Sequence, residues 1–402
     1  MLLPVYRVVW ALMVFAWVGN YGVRMALSAV LPAIMQELDL SYSGAGVLAT
    51  AFFYSYAVMN FPAGLLGDRF GSRRVLVIGL VAGGLFAMAT GLATSFGALL
   101  AARLMTGVSQ GCLFSNDRAI IVAVTPPGKI TLGQAVSFTG PGLGIGLGLF
   151  LGGALAEVMS WRWVLALLGV LPIVAALLIV RFVPHPPSPS ARAMRRGRVR
   201  SVVTDRTVWV LSLAGATVMW VQFVVILWGP LLFMEIGVTE LARAGLFSSL
   251  TGVAAVIGLL LGGAAGHAAQ RRGRAQYAVL LPAFAAMAVT VAGTALALQW
   301  RALPAVLAAG VFLTTIFAWS VWGPMWALLG QALKDGDVSS AFGLSNTITV
   351  VGAIVGPALA GWARDVTGSF AFGLYLSAAV ALAGGLTLVA FSRSGRARPS
   401  AA

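Results

Sequence analysis

Twelve runs of about twenty or more mainly apolar residues follow one another along this 402-residue chain, near 8–34, 44–66, 75–95, 98–124, 131–156, 162–183, 207–234, 241–266, 276–298, 303–331, 339–363 and 369–391. A run of that length is what an α-helix needs to cross the hydrocarbon layer of a bilayer. Inside lipid only helices and closed barrels satisfy their own backbone polar groups. The repetition therefore predicts one fold class, an all-α integral membrane protein with twelve transmembrane helices. Composition agrees, because 60% of the residues are hydrophobic and the mean hydropathy is +0.96, whereas soluble domains hold ~45–50% apolar residues. The first run carries Arg24 and is too long for a signal peptide, so it is read as the first helix.

A net charge of +15 would suit nucleic acid, but the arginines stand at the ends of apolar runs rather than along one soluble face. If both termini share a side, that side collects 19 of the 26 basic residues. The positive-inside rule then makes both termini cytoplasmic, in a multi-pass protein of the inner membrane. The chain offers little for catalysis. Its single cysteine, Cys112, lies in an apolar run, and its two histidines are His185 in a proline-rich stretch and His267 near a helix end. No paired acids, metal cluster or activated nucleophile stands in mid-span, so the reading is neither an enzyme nor a cofactor or metal protein.

Gly64-Leu65-Leu66-Gly67-Asp68-Arg69-Phe70-Gly71-Ser72-Arg73-Arg74 is a charged turn between two apolar runs. Gly64 and Gly67 permit close helix approach, and Gly71 permits a backbone angle other residues resist. Asp68 suits the positive end of a helix, while the arginines suit anionic headgroups or an acid on another helix. The pattern resembles the signature loop of the major facilitator superfamily of secondary transporters. Its glycine and basic positions recur about 200 residues later as Gly263, Gly266, Arg271 and Arg272, with His267 in place of Asp68. Gly152-Gly153-Ala154-Leu155-Ala156 likewise recurs as Gly356-Pro357-Ala358-Leu359-Ala360. These offsets predict two pseudo-symmetric six-helix bundles, residues 1–183 and 207–392, joined by a basic cytoplasmic linker at 184–206 and followed by a cytoplasmic tail at 393–402.

Each polar residue inside a span needs a reason, since a charge there is costly. Asn20, Arg24 and Ser28 are spaced by four and share one face of the first helix, with Arg24 near the bilayer midplane. Arg24 is the leading contact for a carboxylate or phosphate; a buried ion pair with another helix is the alternative. The fourth run carries Arg103, Gln110 and Asp117 at intervals of seven, with Arg118 around the side. Asp117 is the one acid deep in an apolar run. It is either a proton-binding site or, by the superfamily resemblance, a partner for a signature-loop arginine. Arg118 either meets substrate or closes that network. In the second half, Gln222 and Trp228 share a run, and Thr315, Trp319, Trp322 and Trp326 form a stripe that suits packing or ring stacking.

A narrower resemblance follows from Tyr21-x-x-Arg24-x-x-Leu27-Ser28, from Ala51-Phe52-Phe53-x-x-Tyr56-Ala57, and from Gly343-x-x-Asn346-Thr347-Ile348 with Gly356-Pro357-x-x-x-Gly361-Trp362. These stretches resemble the anion:cation symporter family. The resemblance implies alternating-access uptake of a small organic anion, a sugar acid or aromatic carboxylate, coupled to H+ or Na+, by a carrier that is usually a monomer. Arg24 would grip the carboxylate, with Asn20, Tyr56, Gln222, Trp228, Trp319 and Asn346 lining the way. Where proton-coupled members carry acids, this chain has Val23 and either Ser109 or Gln110. Exchange of one anion for another, as in the organophosphate antiporters, or export of a drug or metabolite, are the alternatives.

Overall fold

The computed structural model describes residues 4–126, 130–184, 203–332 and 338–396, without the side chains of 61, 68, 130–132, 135, 330–332, 338–343 and 393–396. Most of the basic linker and the Asp68 side chain therefore lie outside what is described.

Among the described residues all regular structure is helical. Helices α1 (Val5–Leu38), α2 (Tyr42–Phe70), α3 (Ser72–Gly91), α4 (Phe96–Gly111), α5 (Leu113–Val124), α6 (Ile130–Ser137), α7 (Thr139–Ala156) and α8 (Trp161–Phe182) are followed by α9 (Arg206–Glu235), α10 (Leu241–Arg271), α11 (Tyr277–Gln299), α12 (Pro304–Ser320), α13 (Trp322–Ala332), α14 (Val338–Thr367) and α15 (Ala371–Arg396). Ten stretches are long and apolar enough to cross a membrane. The other two predicted runs fall on α2 and on the α4–α5 pair.

Three predicted single spans are interrupted, at Cys112, Phe138 and Val321. Pro141 and Pro324 stand three residues past Phe138 and Val321, and each lacks the N–H that would bond the carbonyl four residues back, at Ser137 and Ser320; Cys112 has no proline nearby. Beside Cys112, a Cβ on Gly111 would come within 2.8 Å of the Met59 Cβ, so α4 lies close against α2 there. Helix starts are more local. Ser41 accepts from the Gly44 amide at 3.1 Å and Ser95 from the Ala98 amide at 3.3 Å. Asp205 accepts from the Thr207 amide at 2.7 Å and the Val208 amide at 3.2 Å, filling donors that a helix start leaves open. Gly71 turns the chain from α2 into α3 at φ +91°, the left-handed region that glycine tolerates.

The chain divides into two compact units, residues 1–193 with 229–253, and residues 194–228 with 254–402. In the first, α1 lies along α7, α2 along α4, and α3 along α8. The far face of α7 packs on the 241–253 stretch, where a Cβ on Gly153 would come within 3.1 Å of the Gly245 Cα. The second unit repeats the scheme: α9 meets α14, α10 meets α12, and α11 lies along α15. One close contact recurs at the equivalent place in each unit. A Cβ on Gly148 would overlap the Gly22 carbonyl oxygen, and one on Gly352, 204 positions on in the numbering, would overlap the Ala216 carbonyl oxygen. Backbone thus rests on backbone where each unit's first helix meets its fifth predicted span, the small-residue packing that replaces a hydrophobic driving force in lipid.

Gly352→Val and Gly148→Val should each prevent normal assembly. The added atoms meet backbone, which cannot rotate away as a side chain can. Size-exclusion profiles of detergent extracts should lose the monodisperse peak for both; a normal peak for either would show that this contact yields more easily than its geometry implies.

Candidate functional site

In the first unit, three side-chain hydrogen bonds run as rungs between α1 and the α4–α5 pair. The Trp10 indole donates to the Thr125 hydroxyl at 2.9 Å, the Trp17 indole to the Asp117 carboxylate at 2.9 Å, and the Arg24 Nη2 to the Gln110 Oε1 at 3.1 Å. The α1 members are seven residues apart, close to two helical turns, so they share one face. The next members of the two series are Leu31 and Arg103.

Arg24 is 2% exposed. Its guanidinium carbon lies 4.0 Å from the ring centre of Phe52, 4.2 Å from Tyr21, 5.3 Å from Tyr56 and 5.5 Å from Phe53. The ring faces stabilise a desolvated cation by about 0.5–2 kcal/mol each, and Gln110 adds a neutral acceptor. Among the described residues no carboxylate reaches it, and its Nε has no hydrogen-bond partner. Gln110 is held in turn, its Nε2 donating to the Asn20 carbonyl at 3.5 Å. Both amide atoms of Asn20 and the Ser28 hydroxyl are buried without partners, so all three polar residues predicted on this face of α1 lie in the interior. Tyr56 stacks on Phe52 with ring centres 5.4 Å apart, which fixes the cage wall.

Gln110 occupies the place beside Arg24, while the Ser109 hydroxyl donates to the Met105 carbonyl within its own helix. The cage itself was only partly anticipated. Tyr56 was expected near substrate, but Tyr21, Phe52 and Phe53 were noted only as shared pattern; their signal is the i, i+3 spacing to Arg24 on α1 and the i, i+1, i+4 cluster on α2.

Arg103 is also 2% exposed, and its guanidinium carbon stands 5.6 Å from the centre of the same Phe52 ring. Its Nε and Nη2 have no hydrogen-bond partner. Asp117, seven residues beyond Gln110, is fully enclosed and well supplied. It accepts from Trp17, from the Arg118 Nη2 at 2.7 Å and from the Ser137 hydroxyl at 3.0 Å. Arg118 also donates to the Gln134 carbonyl at 3.0 Å and to the Gln134 side chain. Arg118 therefore closes a local network with Asp117 and α6.

The α2–α3 turn shows why its glycines are needed. A Cβ on Gly67 would overlap the Oδ1 of Asn116, a fully buried amide that donates to the Ala63 carbonyl at 3.2 Å and the Cys112 carbonyl at 2.9 Å. Asn116 thus ties the turn to the α4–α5 break, a role the sequence did not signal. Gly64 is looser, with the Ser115 Cβ 3.6 Å from its own would-be Cβ. Arg73 donates to the Val180 carbonyl near the C-terminal end of α8, where the helix dipole favours a cation. Arg69 lies 5.1 Å from the Phe70 ring, and Arg74 is exposed.

In the second unit the predicted residues have distinct surroundings. Trp228 is fully buried, donates to the Pro357 carbonyl at 3.0 Å and leans on Phe370 at 4.9 Å. Gln222 is buried with an unpartnered Nε2, and Trp319 with an unpartnered Nε1. Trp322 and Trp326 stack at 5.5 Å beyond the Val321 break. Asn346 is half-buried on α14.

Two units with the same helix pairing, spans long enough for a bilayer, and a buried cation inside one bundle define a polytopic membrane carrier. The sequence profile of the Major Facilitator Superfamily matches residues 13–299, and the chain belongs to that superfamily. It is 25% identical over 391 residues to the hexuronate transporter of Bacillus subtilis, an alignment covering 94% of this chain and 92% of that one. It is 32% identical over 257 residues to the 3-(3-hydroxy-phenyl)propionate transporter of Escherichia coli, covering 58% of this chain and 62% of the relative. A probable sulfoacetate transporter of Cupriavidus necator is 24% identical, with 90% and 88% covered. Among solved structures, a bacterial homologue of the lysosomal transporter Spinster superposes with a TM-score of 0.81 at 17% identity, covering 100% of both chains. The D-xylose-proton symporter superposes at 0.76 with 15% identity, covering 94% of this chain and 96% of that one. These relatives carry organic acids by name, and the structural likeness establishes the shared fold.

Proposed function

We propose that the protein is a secondary active transporter that moves a small organic anion across the cytoplasmic membrane by alternating access, with both termini on the cytoplasmic side. The observation that carries this reading is Arg24, a caged guanidinium in the interior of a bundle with no carboxylate partner among the described residues. Such a cation is costly in lipid or in a dry core. An anion that enters and pairs with it relieves that cost, which is the differential binding a population shift requires. The rings and Gln110 hold the guanidinium plane in place, as bidentate recognition of a carboxylate needs. Asn20 and Tyr56 would meet the rest of the cargo within the first unit, and Gln222, Trp319 and Asn346 are carried as candidate contacts of the second unit by itself. Trp228, whose indole already serves Pro357, is assigned to packing.

Ion-coupled uptake is the first reading and the protein is taken to act as a monomer, with H+ or Na+ as coupling ion. Anion exchange is favoured by one feature: the position facing Arg24 is the neutral Gln110, and Asp117, the acid with the right depth to take a proton, is already paired to Arg118. Counterflow in proteoliposomes tests both. With galacturonate, 4-hydroxybenzoate, sulfoacetate and tartrate as the panel, at least one labelled anion should exchange against its unlabelled form. Accumulation driven by a pH or sodium gradient would mark symport, and strict dependence on an internal anion would mark exchange. If sugars or cations move and no organic anion does, the reading fails.

A further inference from the structure

Arg24 and Arg103 share one aromatic ring. Their guanidinium carbons stand 4.0 and 5.6 Å from the centre of Phe52, both side chains are 2% exposed, and Arg24 Nε, Arg103 Nε and Arg103 Nη2 are buried donors without partners. Around them the acceptors are neutral. Gln110 gives Arg24 one amide oxygen, and the Asn20 amide and Ser28 hydroxyl beside it on α1 are unpartnered. Among the described residues no acid compensates either cation, and the nearest acid along the α4–α5 stripe, Asp117, is held by Arg118, Trp17 and Ser137. Two like charges so placed repel each other and attract anions with greater force than one. A cargo with a single negative charge leaves one guanidinium uncompensated.

We propose that the site is built for an organic anion with two negative charges, a dicarboxylate or a sulfonated carboxylic acid, one charged group to each of Arg24 and Arg103. The inference rests on the organic-anion reading above and narrows it. The cargo itself supplies the charge balance that a protonatable carboxylate on the carrier would otherwise provide. Asn20 and Ser28, with both a donor and acceptors unpaired, face the uncharged part of the molecule and suit a hydroxylated one.

Matched pairs that differ in charge and little else test this on the purified full-length protein. Succinate and succinamate, and sulfoacetate and sulfoacetamide, are titrated at neutral pH by isothermal calorimetry. The dianion of each pair should bind at least about tenfold more tightly than its monoanion, since an added buried charge pair is worth a factor of that order or more. Arg103→Gln should weaken the dianion of each pair by at least about tenfold and so erase the difference between the two members. If that variant does not fold, the wild-type comparison decides alone. Equal binding of dianion and monoanion, with exchange of the wider panel intact, would overturn the doubly charged cargo and leave the organic-anion reading standing. Binding of neither pair, with no exchange of any panel anion, would overturn both.

Discussion

Arg24→Ala is expected to lower anion exchange by at least about 30-fold while the purified protein melts at the same temperature or higher. Truncating one side of a buried, hydrogen-bonded charge pair costs binding on the order of 2–5 kcal/mol, and each 1.4 kcal/mol is about a factor of ten. The stability side runs the other way. Within the protein Arg24 has a single neutral acceptor and four aromatic faces, so the loss of cation–ring attraction is offset by relief of a desolvated charge. A site that binds tightly is often locally unfavourable when vacant. Counterflow and thermal unfolding of the same preparation check both halves. A variant that exchanges anions normally would remove Arg24 from the site, and one that exchanges poorly but also unfolds early would make it a structural residue.

The second large effect has the opposite pattern. Asp117→Ala should destabilise the protein by about 3 kcal/mol, because it removes the anionic partner of Arg118 and the acceptor of Trp17 and Ser137 at one stroke. The lower end of the usual 3–5 kcal/mol range for a broken buried pair applies, since the Arg118 side chain is 22% exposed and water can reach it. Asp117→Asn keeps an acceptor for Trp17 and should cost less. If Asp117 serves as this brace, the pH profile of transport stays unchanged in the asparagine variant. A proton-coupling role would instead appear as loss of gradient-driven accumulation with exchange preserved. Thermal unfolding and transport across a pH series separate the two.

The contrast between these two arginine sites explains how far the sequence could be read. Twelve apolar runs, the Gly71 turn and the recurrence of Gly152-Gly153 at Gly356-Pro357 depend on composition and spacing, so they were legible. Arg24 was legible too, because a cation in mid-span has few neutral explanations. What its neighbours are was not. Phe52 and Tyr21 look like ordinary lipid-facing or packing residues until the approach of α2 to α1 turns their faces onto the guanidinium. The heptad spacing of Arg103, Gln110 and Asp117 correctly grouped residues along one stretch, but it could not show that α4 ends at Gly111. Nor could it show that the three residues have different fates: one unpartnered, one bonded to Arg24 and one sealed with Arg118. Those outcomes depend on the register between α1 and the α4–α5 pair. A one-residue shift would move Ser109 into the place of Gln110, and spacing alone does not fix that choice. The breaks at Phe138 and Val321 have a sequence signal in Pro141 and Pro324, whereas the break at Cys112, with no proline near it, has none.

The most direct measurement is an experimental structure of the protein with a bound anion chosen by the counterflow panel. Ligand density with a charged oxygen within hydrogen-bond distance of the Arg24 guanidinium, inside the ring cage of Tyr21, Phe52 and Tyr56, is the predicted result. Density for the anion elsewhere, with Arg24 joined to a carboxylate of the protein itself, would contradict the account.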